Sequence, residues 1–148
     1  MEENIFTKIQ ELDYNDKFLE ESSILVAEDN LINQILLRKF LKLWHVANLV
    51  IASDGQEAVD EFEQGVFDIV LLDIQMPVLD GFAVVKSIRE NKDVKKSSVP
   101  ILVFTASSYR EIKDEMNPLK VDGFIEKPFT PESLYRKLTE HLASKKLS

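Results

Sequence analysis

The order of residues predicts an α/β fold: a doubly wound, five-stranded parallel sheet with helices on both faces. Three observations predict it. Five short apolar runs recur along the 148 residues, the runs do not alternate with polar residues, and a segment with helical spacing follows each. Short runs without alternation are the mark of strands buried on both faces, the habit of a parallel sheet covered by helices.

The first run is Ile24-Leu25-Val26-Ala27, closed by Glu28-Asp29-Asn30. A helix over 31–43 follows, with Leu36, Phe40 and Leu43 along its expected buried face. The second run, Leu49 to Ala52, is closed by Ser53-Asp54-Gly55. Ala58 and Phe62 stripe the helix over 55–64, and Phe67 continues that stripe into the next strand. Ile69-Val70-Leu71-Leu72 then precedes Asp73, and Val84, Val85 and Ile88 stripe a helix over 81–90. Asn91 to Ser98 reads as a polar, basic loop.

The fourth run, Ile101 to Phe104, precedes Thr105. The helix expected over 106–119 is weakly patterned and cut short by Pro118. The fifth run, Val121 to Ile125, is shorter and interrupted by Asp122 and Gly123. Thr130 before Pro131 is a helix start, a capping hydroxyl ahead of a residue whose φ is already set. Leu134, Leu138 and Leu142 stripe the last helix, 131–143. The repeat fills one domain, 22–146. Residues 1–21 lie outside it as an N-terminal lead or linker, with Ile5, Ile9 and Leu12 at helical spacing.

Composition narrows the class. With 45% hydrophobic and 30% charged residues the chain is globular, and no apolar run approaches the roughly 20 residues of a membrane span. The acidic N-terminus lacks the pattern of a secretion signal, so a cytoplasmic setting is expected. Without Cys there is neither a disulfide framework nor a thiolate metal site. A formal charge of -8 argues against direct nucleic-acid binding, which needs clustered Lys and Arg.

In a parallel sheet with right-handed crossovers every strand ends at one edge, where ligands of such folds sit. Four strands here end in chemically capable residues: Glu28 and Asp29, Asp73, Thr105, and Lys127. Converging carboxylates repel one another, and a hard divalent cation relieves that repulsion. Oxygen ligands without Cys or His favour Mg²⁺. A carboxylate beside a metal, a hydroxyl and an ammonium is equipped to attack a phosphoryl group, with Lys127 and Thr105 contacting its oxygens. Oxygen count slightly favours Asp73 over Asp29 as the nucleophile. Asp73 is preferred because it closes the longest central run, ahead of Met76-Pro77 and Gly81.

The segments Leu25-Val26-Ala27-Glu28-Asp29-Asn30, Leu71 to Gly81 (LLDIQMPVLDG), Phe104-Thr105-Ala106 and Lys127-Pro128-Phe129 resemble the receiver domains of response regulators. Asp29-Asn30 with Asn33 is most similar to receivers of hybrid histidine kinases. The resemblance implies a flavodoxin-like receiver fold and a signalling module that is not an enzyme in its own right. It implies that Asp73 is phosphorylated by a histidine kinase or histidine phosphotransfer protein. It further implies that Asp29 binds Mg²⁺ directly, Glu28 through water, and Gln75 through its backbone carbonyl. Thr105, the amide of Ala106 and Lys127 would hold the phosphoryl group, and the Lys127-Pro128 bond would be cis. Thr105 and Phe124 would form a switch, read by a downstream effector or fused domain at the face of 106–119, the fifth strand and 131–143. Gln75 and Ser107 occupy positions that tune phosphoryl lifetime in the family.

Other readings compete. Glu28-Asp29 alone is a helix cap, Lys127 alone a surface charge, and Phe124 alone a core aromatic. An aspartyl-phosphate phosphohydrolase would need a second Asp where Gln75 stands. A phosphate-independent binding module would not need the whole set. His45, after Trp44 at the end of the first helix, and His141, late in the last helix where a positive side chain suits the macrodipole, both read as structural.

Overall fold

The computed structural model describes residues 17–106 and 120–147, so all of the expected helix over 106–119 beyond Ala106, with Ser107, and most of the N-terminal lead lie outside the described residues. Five parallel strands form one sheet in the order β2-β1-β3-β4-β5. They are β1 (Ser23–Ala27), β2 (Asn48–Ala52), β3 (Ile69–Asp73), β4 (Ile101–Thr105) and β5 (Gly123–Glu126). The described helices are α1 (Lys17–Glu20), α2 (Leu31–Leu43), α3 (Gly55–Gln64), α4 (Gly81–Arg89), α5 (Val94–Ser97) and α6 (Pro131–Leu147).

Side chains on a strand alternate between faces, and that period splits the core in two. Ile24, Val26, Ile69, Leu71, Leu102, Phe104 and Ile125 pack with the buried residues of α2 and α6. Leu25, Ala27, Val70, Leu72, Ile101 and Val103 pack on the other face with α3 and α4. β1, β3 and β4 are buried on both faces, which is why their apolar runs show no alternation.

Three sequence expectations need correction. α2 buries Leu37, Phe40 and Leu41, whereas Leu36 and Leu43 are 36% and 39% exposed. The stripe one residue over meets the sheet. The fifth strand begins at Gly123 rather than Val121, because the Asp122 side chain itself accepts the Ile101 N–H at 2.8 Å. The 91–98 segment is not simply a loop: Asp93 caps the single turn α5, accepting from the Lys95 N–H at 3.0 Å.

Within the segment read as a lead, Leu19 is buried in the first core cluster and α1 packs against α6. α2 ends in a Schellman motif, with the N–H of Val46 on the Leu41 carbonyl and that of His45 on the Lys42 carbonyl. His45 sits there at φ 58, a backbone role that matches its structural reading. His141 is half-buried beside Gly123.

Arg89 at the end of α4 is a clamp the sequence did not announce. Its guanidinium donates to the carbonyls of Ser97, Val99 and Lys120 and to the carboxylate of Asp122, at 2.7–3.1 Å. All five of its donor hydrogens are used. It ties α4 to α5 and to the entries of β4 and β5. No described helix is long and apolar enough to cross a membrane.

Candidate functional site

Strand order and parallel direction bring four strand ends to one edge. Glu28 follows β1 and extends its pairing with β2, donating its N–H to the Ala52 carbonyl at 3.0 Å. Its side chain is fully buried, while Asp29 turns outward. Asp73 is the last residue of β3 and Thr105 the last of β4, 8% and 4% exposed. The Lys127 N–H donates to the Thr105 carbonyl at 2.8 Å, so the β4–β5 ladder delivers Lys127 to the same edge. The Lys127-Pro128 bond is cis.

Gly81 allows the next helix to start against Asp73. Its N–H donates to the Ile74 carbonyl at 2.8 Å, and a Cβ there would lie 2.6 Å from the Asp73 carbonyl oxygen. No other residue type fits that approach without displacing the strand end.

The Lys127 ammonium bridges two carboxylates, 2.8 Å from Glu28 Oε2 and 3.1 Å from Asp73 Oδ2. Asp73 Oδ1 accepts the Gln75 N–H at 3.2 Å. Burial raises the Asp73 pKa above the usual carboxylate range, and the Glu28 charge raises it further, with Lys127 opposing both. Burial works against the Lys127 ammonium, but hydrogen bonds and charge from Glu28 and Asp73 outweigh it and raise its pKa.

Glu28, Asp29 and Asp73 each offer an oxygen within 4.8 Å of the others. Three carboxylates against one ammonium leave a formal charge of -2, and every donor is oxygen. Such a set fits one hard divalent cation.

Glu28, Asp29, Asp73, Gln75, Thr105, Ala106 and Lys127 all line one cleft of about 330 Å³. Phe124 does not; it is half-buried against the second core cluster, beside Val103 in the β4–β5 register. Two polar residues of the cleft were given no role by sequence reasoning. Asn30 and Asn33 line it and donate to Glu28 Oε1, through the Asn30 N–H and the Asn33 Nδ2. Their only sequence signal was the Asp29-Asn30-x-x-Asn33 spacing. A larger groove at the opposite sheet edge, lined by Phe62, Val66, Phe67 and Pro100 among others, contains none of the expected site residues.

Residues 24–139 match the family model described as "Response regulator receiver domain". The chain is 34% identical over 117 residues to hybrid signal transduction histidine kinase I of Dictyostelium discoideum, covering 76% of this chain and 7% of the kinase. Curated relatives of this kind are longer, and the chain spans between 7% and 42% of their length. Among solved structures, the receiver domain of sensor histidine kinase PA1611 of Pseudomonas aeruginosa superposes with a TM-score of 0.75 at 28% identity. That match covers 83% of this chain and 98% of that one, whose active-site cleft coordinates a magnesium ion. The Saccharomyces cerevisiae Ssk1 receiver, solved with the phosphotransfer protein Ypd1, superposes with a TM-score of 0.76 at 29% identity, covering 84% and 91%.

Proposed function

Because the chain belongs to the response regulator receiver family, a signalling module of two-component phosphorelays, we propose that it accepts a phosphoryl group on Asp73. The donor is the phosphohistidine of a histidine kinase or histidine phosphotransfer protein. One observation carries the reading: a single cleft is lined by Glu28, Asp29, Asp73, Thr105, Ala106 and Lys127, drawn from four strand ends.

In this reading Asp29, Asp73 and the Gln75 carbonyl hold Mg²⁺, with Glu28 acting through water, and the cation supplies charge neutralisation at the phosphoryl oxygens. The Asp73 carboxylate attacks phosphorus and forms a new P–O bond. The P–N bond to the donor imidazole breaks, and the nitrogen leaves with the electron pair and takes a proton from water. Lys127 turns from its carboxylates to a phosphoryl oxygen, and Thr105 and the Ala106 N–H donate to the others. Drawing Thr105 inward makes room for Phe124, and the altered face is read by a downstream effector or fused domain.

The surface of α2 supports a protein donor. Leu31, Ile32, Ile35 and Leu36 are exposed there, beginning one residue after the cleft-lining Asn30. An apolar patch beside a phosphoacceptor suits a helical partner that docks while presenting its histidine.

Incubation with acetyl phosphate and Mg²⁺, followed by intact mass, tests the assignment. The parent protein gains one phosphoryl mass and Asp73→Asn gains none. Equal phosphorylation of Asp73→Asn removes Asp73 as the acceptor.

A further inference from the structure

We infer that Asn33 is a positioning residue for Glu28, holding that carboxylate in the orientation the cation site requires. The inference rests on the Mg²⁺-assisted reading above.

Glu28 is fully buried, and a buried carboxylate needs donors on both oxygens. Oε2 takes the Lys127 ammonium at 2.8 Å. Oε1 takes two neutral donors, the Asn30 N–H at 3.1 Å and the Asn33 Nδ2 at 3.3 Å. Two donors occupy the two lone pairs of Oε1, leaving Oε2 as the oxygen with capacity to spare. The orientation of Glu28 is therefore set from the α2 side.

Asn33 is itself held in place. Its N–H donates to Asn30 Oδ1 at 3.0 Å, the cap of α2, so its side chain departs from a fixed backbone. The choice of a neutral donor matters. Asn33 satisfies Oε1 without cancelling charge, so the cluster keeps the formal -2 that attracts a divalent cation. Without Asn33, Oε1 keeps one donor, and Glu28 can swing both oxygens onto Lys127. Loss of such an outer partner typically lowers metal affinity about 10- to 100-fold.

Calorimetric Mg²⁺ titration of the full chain tests this with a double-mutant cycle of Asn33→Ala and Glu28→Gln, thermal melting without Mg²⁺ reporting that each variant is folded. Asn33→Ala should weaken Mg²⁺ binding about 10-fold in the parent background, and less than about 2-fold in Glu28→Gln. Asn33→Ser, which keeps a polar first turn, should match Asn33→Ala and serves if that variant does not fold. A lowered melting temperature with unchanged Mg²⁺ affinity makes Asn33 a helix-stability residue and overturns the inference. Equal weakening in both backgrounds also overturns it, because Asn33 then acts without Glu28. Failure of the parent to bind Mg²⁺ defeats the metal reading and this inference together, and the parent titration identifies that case.

Discussion

Lys127 Nζ lies 2.8 Å from Oε2 of Glu28, joining the first and last strands across 99 residues of sequence. The same ammonium reaches Asp73 at 3.1 Å, so one cation ties both buried carboxylates of the cleft. This triad makes stability and site chemistry inseparable.

Lys127→Ala should destabilise the protein without added metal by roughly 2–4 kcal/mol, because it leaves a buried carboxylate short of its counter-charge. Mg²⁺ should recover part of that loss, since it supplies positive charge to the same oxygens. Urea denaturation with and without Mg²⁺ measures both. A loss of the same size in the two conditions would mean that metal and ammonium do not share the cluster.

Asp73→Asn should raise the melting temperature at neutral pH in the absence of Mg²⁺, by about 2–5 °C. The sign follows from linkage. Burial and the Glu28 charge raise the Asp73 pKa in the folded state, so the fold prefers the protonated form. That contribution is present below the unfolded carboxylate pKa and is lost as pH rises through the folded value. The gain from Asn should therefore shrink in acid and grow toward neutrality. A gain independent of pH between about 4 and about 8 would detach it from Asp73 ionisation.

Arg89→Ala should cost about 2–4 kcal/mol, since three carbonyls and one carboxylate lose their donor together. Arg89→Lys should recover less than half of it. An ammonium has three donors and no planar fork to span Ser97, Val99, Lys120 and Asp122. Chemical denaturation of the three proteins settles the point; full recovery by Lys would make the clamp a matter of charge alone.

Much of this was legible in the residues. The runs Ile24 to Ala27, Ile69 to Leu72 and Ile101 to Phe104 declare buried parallel strands because burial on both faces leaves no polar positions. Parallel direction then sends Glu28, Asp29, Asp73, Thr105 and Lys127 to one edge, so their convergence could be expected from the order of elements. The Pro131 helix and its stripe of Leu134, Leu138 and Leu142 were equally plain.

What the sequence by itself determined was the identity and order of these local elements and the residues that close the strands, because backbone periodicity is a local property. Only the tertiary structure decided which stripe of α2 is buried. Leu36-Phe40-Leu43 and Leu37-Phe40-Leu41 are both helical stripes, and spacing gives an angle around the axis without saying where the sheet lies. The same holds for the bond from Asn33 to Glu28 and for the reach of Arg89 to Lys120 and Asp122. Each depends on how a helix is rotated against the sheet, and that rotation is set by packing of side chains distant in the chain.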